Sequence, residues 1–351
     1  MKTVLAVDGG NSKTDVAIVT DDGRLLAAVR GPTSSHQQVG LGPGLERLAG
    51  LVAEAVAAAR LDRRPDLAVY SLAGADTNAD VRTLSSALEA RGFATALMVL
   101  NDAFGALRAG TDKAWGVVVI CGQGVNAAGV APDGRNARLD ALGAISGDWG
   151  GGTDVGWAGL AAAVRARDGR GPRTRLERDV PAHFGLASPA AVTSAMYTGR
   201  IAEARIGELS PIVFRAAEAG DNEARKVVDR LADEIVTMAG AMIRRLRLTR
   251  LDPDVVLAGG VFRARDAVFR ARIAEGIAVV APRARVVGLA APPVAGAALI
   301  GLDRLAASTA APRVSDAVRS AIGAWDAERQ RIVSGPPARK RSSSARSGKP
   351  A

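Results

Sequence analysis

Three short glycine-containing segments carry most of the residues that could do chemistry in this sequence. DGGNSKT (8–14) and CGQGVNA (121–127) each separate two predicted strands, and LAGG (257–260) ends a strand before a helix. Glycines in such turns let backbone N–H groups converge on an anion, and the Asp8 carboxylate suits a hydrated Mg²⁺ ion. The first two segments predict phosphate-binding hairpins, and the third predicts a turn where a flat ligand or a phosphate can approach the backbone. An ordinary tight turn is the alternative for the first and the third segments.

The first two turns do not match the usual nucleotide-binding motifs. The first lacks the Gly-Lys-Ser/Thr before a helix that defines a Walker A loop. The second fits G-x-G-x-x-A, yet the strand after it (125–130) runs only to the turn at 132–134, with no room for a crossover helix. A second phosphate-contacting hairpin fits this context better.

Polar residues elsewhere could act on a substrate. Asp102 follows a predicted strand and precedes a helix, so it could cap that helix or accept a proton from a substrate hydroxyl. In SGDWGGG (146–152), Asp148 could bind sugar hydroxyls beside the flat face of Trp149, or the segment could be a plain surface loop. His36 lies in a polar loop, where a structural role and a ligand contact are both open.

Strands and helices alternate around the glycine turns, and the pattern occurs twice. A three-strand meander opens on each of the first two turns, the second about 110 residues after the first. Helices and further strands follow each meander, which predicts an α/β fold of two duplicated domains with mixed, helix-covered sheets. The predicted strands are 3–8, 14–20, 24–30, 67–71, 96–100, 115–120, 125–130, 135–139, 255–258 and 284–288; the predicted helices are 43–60, 79–91, 153–167, 221–247, 264–276, 294–307 and one from Ala103.

The composition along the chain indicates its domain organisation. We expect domains at 1–111 and 112–308, a closing helix within 309–333, and a disordered basic tail at 334–351, where the segment is low in complexity. The charged stretch 167–181 is interrupted by Gly and Pro and predicts a mobile surface loop.

Charge and cysteine content narrow the possible functions. The 351 residues include 46 Lys and Arg against 36 Asp and Glu, a net charge of +10, and half of that excess lies in the tail. The tail lacks interleaved aromatic residues, so nucleic acid is not the expected partner. Cys121 is the single cysteine, expected to be buried and inert, which excludes a disulfide or a multi-cysteine metal site within one chain. No apolar stretch reaches the roughly 20 residues that span a bilayer, and we expect a cytoplasmic protein.

Taken together, the two hairpins, the acid after an intervening strand and the late Gly-Gly turn resemble the superfamily of sugar kinases, heat-shock chaperone ATPases and actin. More narrowly, from about Thr3 to Leu305 the chain resembles the BadF/BadG/BcrA/BcrD ATPase family, which includes N-acetylglucosamine kinase. The resemblance implies two duplicated actin-like (ribonuclease H-like) domains with mixed sheets flanking an ATP cleft.

The resemblance also implies a role for individual residues. Asp102 corresponds to the catalytic base, and Asp8 is expected to hold Mg²⁺ through water. The expected ATP contacts are Gly9, Gly10, Asn11, Ser12, Lys13, Gly122, Gln123, Gly124, Gly259 and Gly260. The expected sugar contacts are Ser35, His36, Gly74, Asp76, Asn101, Asn126, Gly147 and Asp148.

Three positions depart from the family pattern. Asn11 stands where the family turn usually has a third glycine, Ser35 where an Asn commonly precedes the match to His36, and Trp149 where a Glu commonly follows the match to Asp148. These departures bear on which sugar is bound more than on ATP chemistry. The iron–sulfur activators and the Cys-rich ROK-type proteins, both similar to this family, need cysteines that this chain lacks.

The resulting hypothesis is an ATP-dependent kinase that phosphorylates the 6-hydroxyl of N-acetylglucosamine or a related amino sugar. The expected partners are the sugar and a second copy of the chain, with no membrane. The competing hypothesis is a non-catalytic or regulatory ATP-binding switch of the same family that recruits a partner through its basic tail.

Overall fold

Two five-stranded mixed sheets, one from each half of the chain, form the framework of the computed structural model, which describes residues 1–289 and 291–334. The first sheet has the order β3-β2-β1-β4-β5 and the second β10-β9-β6-β7-β8. The strands are β1 (Thr3–Gly9), β2 (Lys13–Thr20), β3 (Leu25–Pro32), β4 (Leu67–Leu72), β5 (Ala96–Asn101), β6 (Gly116–Cys121), β7 (Val125–Val130), β8 (Asn136–Arg138), β9 (Asp254–Ala258) and β10 (Arg285–Gly288). In both sheets an antiparallel meander is extended by two parallel strands, which confirms the predicted duplicated α/β fold.

Helices cover the sheets and connect their strands. They are α1 (His36–Val39), α2 (Leu41–Ala58), α3 (Asn78–Glu89), α4 (Asp102–Gly110), α5 (Gly151–Arg167), α6 (Leu176–His183), α7 (Pro189–Tyr197), α8 (Ser210–Glu218), α9 (Asn222–Arg245), α10 (Ala267–Val280), α11 (Pro293–Ala306) and α12 (Pro312–Ser334). Short 3₁₀ segments occur at Gly143–Ser146, Glu203–Leu209 and Gly260–Arg263. Within the described residues, no helix is long and apolar enough to cross a membrane.

The central strands are apolar on both faces because helices bury both. Side chains of α2 and α3 pack on one face of the first sheet, whereas α11 and α12 pack on the other. Every residue of β1 is buried. Such continuous burial explains why the central strands are apolar runs, without the alternation of a half-exposed strand.

Two helices are exchanged between the sheets. α4 follows a strand of the first sheet but packs on the second, where Leu107 lies in one apolar cluster with Val118 and Val256. α11 follows the second sheet but packs on the first. The two helices cross at glycines: a Cβ on Gly296 would lie 1.8 Å from the carbonyl oxygen of Gly105. This crossing joins the two sheets.

The C-terminal helix α12 is tied to the chain segment that leads from the first sheet to the second. Arg319 donates to the carbonyl oxygens of Ala109 at 3.0 Å and Thr111 at 2.6 Å. The buried guanidinium of Arg108 donates to the Asp303 carboxylate of α11 at 2.8 Å. The last carbonyl groups of a helix have no hydrogen-bond donor within that helix. At the end of α4, the Arg319 side chain of α12 supplies the missing donors.

The prediction of a mobile loop over 167–181 is wrong for its second part. α6 begins at Leu176, and the side chains of Leu176 and Val180 are fully buried in the core of the second half. The preceding residues are fixed as well, because Asp221 accepts from the Thr174 hydroxyl at 2.8 Å and the Arg175 amide at 2.6 Å. The predicted disordered tail lies, from residue 335 onward, outside the described residues.

Replacing Gly296 with Ala should lower the free energy of unfolding by about 1–3 kcal/mol, because the added methyl would overlap the Gly105 backbone at the α4–α11 crossing. The control is Gly50→Ala in α2, where a Cβ meets no atom within 4 Å. This control should be neutral or stabilising by up to about 1 kcal/mol. Urea unfolding measures both variants, and equal midpoints would contradict the tight crossing.

Candidate active site

The first glycine turn joins β1 and β2 at the end of the central strand of its sheet. The Gly10 amide donates to the Lys13 carbonyl at 3.0 Å and closes the turn, while Asn11 and Ser12 are exposed at its tip. Space at Gly9 is tight, because a Cβ there would lie 2.6 Å from a methyl carbon of the Leu72 side chain, which would have to move aside. The predicted phosphate turn is thus a narrow hairpin whose tip is open to a ligand.

Asp8 precedes this turn and is an incompletely stabilised carboxylate. Its side chain is buried, and burial raises its pKa to about 7 against the opposing effect of the Lys13 cation. Among the described residues, no group donates a hydrogen bond to this carboxylate. A buried carboxylate of this kind fits a cation that retains its own water, as Mg²⁺ does. In the described part of the chain, no group of three or more His, Cys, Asp or Glu residues that could hold a metal ion occurs.

Lys13 begins β2 and pairs with Asp15, a carboxylate with no solvent exposure. Arg30 forms a two-pronged contact with the same carboxylate, at 2.6 and 2.8 Å. Because Arg30 already compensates Asp15, the Lys13 ammonium can turn toward a phosphate without leaving a buried charge unpaired.

The second glycine turn joins β6 and β7 and rests on the start of α5. The carbonyl oxygens of Gly122 and Gln123 accept the amides of Gly152 at 2.7 Å and Thr153 at 3.0 Å. Gly151 has a φ of 78°, and a Cβ there would lie 2.3 Å from the Gln123 carbonyl oxygen. Gly151 and Gly152, which were predicted as part of a sugar-binding loop, therefore pack against the second hairpin. They also form the first turn of α5, which begins two residues before its predicted start.

The third glycine pair follows β9 and lies against β6. Gly259 has a φ of 108°, and a Cβ there would lie 2.3 Å from the carbonyl oxygen of Cys121, so only glycine fits. Beside Gly260 the space is open. Burial raises the pKa of the Cys121 thiol to about 12, in agreement with an inert thiol. The pair leaves room for a flat ligand to approach the backbone.

Asp102 is the first residue of α4, and the N-cap of that helix is Asn101. The Asn101 side chain accepts the Ala103 amide at 3.1 Å, so the capping alternative for Asp102 is wrong. Within the described residues, no side chain donates to the Asp102 carboxylate. Burial, followed by the charge of Asp76, raises its pKa to about 6. Asp8 lies near the end of β1 and Asp102 directly follows β5, two strands away in the same parallel set. The Asp102 charge also contributes to the raised pKa of Asp8.

Asn101 links the two sheets through a polar network. Its amide donates to the Asp76 carboxylate at 2.9 Å, and its oxygen accepts from Asn126 of β7 at 3.4 Å. Asp76 also accepts from Gln37 at 3.0 Å. Four residues from four different segments therefore meet next to Asp102.

Two buried side-chain oxygens among the predicted sugar contacts have no hydrogen-bond partner within the described residues. They are Oγ of Ser35, from the first half, and Oδ1 of Asn126, from the second. Buried polar atoms are normally paired, so each of these atoms is available to a polar ligand or to water. His36 packs against Gly74, whose φ of 85° suits glycine and where a Cβ would lie 2.7 Å from the His36 ring.

Gly147 and Asp148 are not in hydrogen-bond contact with the other predicted sugar residues. Asp148 accepts from the Ser146 hydroxyl in its own loop. The Arg230 guanidinium of α9 stacks on one face of the Trp149 ring, at 3.8 Å from the ring centroid. A cation–π contact thus covers one of the two flat faces of this side chain.

Sequence reasoning missed two members of the network, Gln37 and Arg138. Gln37 could have been predicted from the sequence, since it directly follows the predicted sugar contact His36. Arg138 ends β8 and contacts Asp76 from the other half of the chain. Nothing in its local sequence distinguishes it from the many other arginines.

Comparison with known proteins identifies the family of this chain. The model of the BadF/BadG/BcrA/BcrD ATPase family matches residues 5–301. An N-acetylmuramic acid/N-acetylglucosamine kinase of Clostridium acetobutylicum is 30% identical over 272 residues, which cover 74% of this chain and 86% of that protein. An N-acetyl-D-glucosamine kinase of Dictyostelium discoideum is 26% identical over 314 residues, covering 85% and 97%.

A solved structure shares the fold of this chain. The crystal structure of a candidate N-acetylglucosamine kinase from Chromobacterium violaceum superposes with a TM-score of 0.66 at 24% identity, covering 86% of this chain and 99% of that one. The family match spans both sheets, both glycine hairpins and the Gly-Gly turn. The chain therefore belongs to the BadF/BadG/BcrA/BcrD ATPase family, as its sequence motifs predict.

Proposed function

We propose that this chain is an ATP-dependent sugar kinase that transfers the γ-phosphate to the 6-hydroxyl of N-acetylglucosamine or a related amino sugar. The observation that carries the proposal is the unpaired carboxylate of Asp102, which lies near Asp8 and next to the Asn101–Asp76 network. The names of the two relatives supply the substrate class, since both are kinases of N-acetylated amino sugars.

The nucleotide would lie between the two glycine hairpins. Backbone amides of residues 9–13 and 122–124 would bind the β- and γ-phosphates, and Gly259 and Gly260 would border the adenosine. Mg²⁺, held by Asp8 through water, would neutralise phosphate charge during transfer. Open space around Gly122, Gly124 and Gly260, where a Cβ would meet no atom within 4 Å, supports this placement.

The sugar would lie between the sheets beside the polar network. The unpaired Ser35 hydroxyl and Asn126 carbonyl oxygen are free to bind sugar hydroxyl or amide groups. Asp76 and Asn101 are already oriented by their mutual hydrogen bond, which lowers the entropic cost of sugar binding. His36 and Gly74 would form one wall, and Gly147 with Asp148 would approach from the second domain.

Asp102 would act as the general base. Its carboxylate would accept the proton of the 6-hydroxyl as that oxygen bonds to the γ-phosphorus and the bond to the departing ADP oxygen breaks. A pKa of about 6 makes Asp102 a stronger base than an exposed Asp while leaving it mostly ionised near neutral pH. Closure of the proposed domains, 1–111 and 112–308, would exclude water from this step.

Asp102→Asn should lower kcat for sugar phosphorylation by about 100-fold or more, because an amide cannot accept the hydroxyl proton. ADP formation, measured with and without sugar, follows the reaction. Asp133→Asn is the control, since that carboxylate lies exposed in the turn after β7 and pairs with Arg135 of the same turn. ATP hydrolysis that is independent of sugar and unchanged by Asp102→Asn would contradict the proposal.

The kcat/KM for the sugar, at saturating Mg²⁺-ATP, should decrease as the pH falls through about 6. Because burial raises the Asp102 pKa, the carboxyl takes up its proton at a higher pH than an exposed Asp and then cannot act as a base. An unshifted Asp would place the decrease near pH 4. Steady-state rates between about pH 4.5 and about pH 8 distinguish a decrease near pH 6 from one near pH 4. A kcat/KM that stays constant down to about pH 5 would exclude the assigned pKa.

Asp8→Asn should stabilise the nucleotide-free protein at about pH 8 and remove its stabilisation by Mg²⁺-ATP. The folded-state pKa of about 7 exceeds the ordinary 3.8, so the wild-type protein loses stability as the pH rises through that window. Removing the charge should recover on the order of 1–4 kcal/mol. Urea unfolding measures the stability of the nucleotide-free protein, and thermal shifts with Mg²⁺-ATP measure the stabilisation by the nucleotide. A variant that is less stable, or that Mg²⁺-ATP stabilises as it does the wild type, would contradict the role of Asp8.

A further inference from the structure

One arginine of the second sheet reaches a loop of the first half. Arg138 is the last residue of β8, and its Nη2 donates to the backbone carbonyl oxygen of Asp76. Its Nη1 lies 3.6 Å from the Asp76 carboxylate oxygen Oδ1. Both side chains are largely buried, at 16% and 20% exposure, so this ion pair is less screened than one on the surface.

The same guanidinium also holds the loop that follows its own strand. Nη1 donates to the carbonyl oxygens of Leu139 at 2.9 Å and Asp140 at 3.3 Å. This loop continues to Gly147 and Asp148, the predicted sugar contacts of the second half. The backbone carbonyl of Arg138 accepts from Arg245 of α9 at 3.1 Å, which fixes the end of β8. Arg245 thus holds the backbone of Arg138, while the guanidinium of Arg138 contacts both the loop of Asp76 and the loop after β8.

Asp76 has no other cationic partner among the described residues. Its remaining contacts are the neutral amides of Gln37 and Asn101. Without Arg138, the Asp76 charge would face the Asp102 carboxylate with only amides to offset it, and the 73–77 loop would lose its contact to the second half.

We propose that Arg138 is a positioning residue that joins the two sugar loops, 73–77 from the first half and 139–148 from the second, and so sets the geometry in which Asp76 and Asn101 meet the sugar. The sugar part of this inference rests on the proposed function. The joining of the loops does not, because it depends only on contacts within the chain.

The chemistry of the contact requires arginine. One planar group here reaches three backbone carbonyl oxygens and a carboxylate, and the guanidinium offers five N–H donors in fixed directions. A lysine would keep the charge, but its three donors lie on one nitrogen at the end of a flexible chain, so it would lack the fixed fork that spans the two loops. Arg138→Lys therefore separates the positioning role from the charge alone.

The first measurement is the steady-state kinetics of Arg138→Met and Arg138→Lys. Loss of a charge-assisted hydrogen bond should raise the KM for the sugar by about 10- to 100-fold in the Met variant. The Lys variant should lie between the Met variant and the wild type, and the KM for ATP should remain within about twofold of the wild-type value in both. Arg135→Met is the matched control, because Arg135 is an exposed arginine that directly precedes β8, three residues before Arg138, and pairs with Asp133 of its own turn.

The second measurement is hydrogen–deuterium exchange without any ligand. Arg138→Met should increase exchange in 73–77 and in 139–148 together, although these segments belong to different halves of the chain. Arg135→Met should change neither segment. Circular dichroism and thermal unfolding verify that each variant is folded, and Arg138→Lys provides the comparison if the Met variant is not.

The outcomes separate this inference from the proposed function. Exchange that rises only in 139–148 would overturn the joining of the loops. If exchange rises in both 73–77 and 139–148 in Arg138→Met but the KM for the sugar is unchanged, the positioning role is wrong. If the wild-type protein phosphorylates no amino sugar but the two loops still respond together, the proposed function fails while the joining of the loops stands.

Discussion

The close crossing of α4 and α11 is the constraint on which the arrangement of this protein depends. Gly105 and Gly296 let the two helix backbones meet with no side chain between them. Each helix packs on the sheet that belongs to the other half of the chain. α4 also begins at Asp102, so the helix that joins the sheets carries the proposed base. Its packing on the second sheet fixes where that carboxylate lies relative to the second hairpin, and Arg319 holds its other end.

The proposed chemistry opposes stability at the same site. Asp8 and Asp102 are buried carboxylates whose raised pKa values show that the folded protein disfavours their ionised forms. The buried oxygens of Ser35 and Asn126 without partners add a further cost. A magnesium nucleotide and a hydroxyl-rich sugar would offset these costs by supplying a cation and hydrogen-bond partners. Ligand binding and folding stability are therefore expected to be strongly linked in this protein.

Much of the fold could be predicted from the sequence, because local patterns determine it. The glycine turns after Asp8 and Cys121 mark the two hairpins, and apolar runs mark the buried strands. What depends on packing between distant segments could not be predicted. The exchange of α4 and α11 leaves no periodic signal, and Arg230, which covers Trp149, lies 81 positions further along the chain. Arg138 is likewise recognisable only once β8 is placed beside the loop of Asp76.

The most direct test of the kinase proposal is to incubate the purified protein with Mg²⁺-ATP and N-acetylglucosamine and to identify the products by phosphorus NMR. The expected result is an amino-sugar 6-phosphate that forms in equal amount with ADP, and no ADP when the sugar is omitted. ADP that forms at the same rate with and without amino sugars, and with no phosphorylated sugar, would contradict the proposal. That result would instead favour an ATP-binding switch built on the same two sheets.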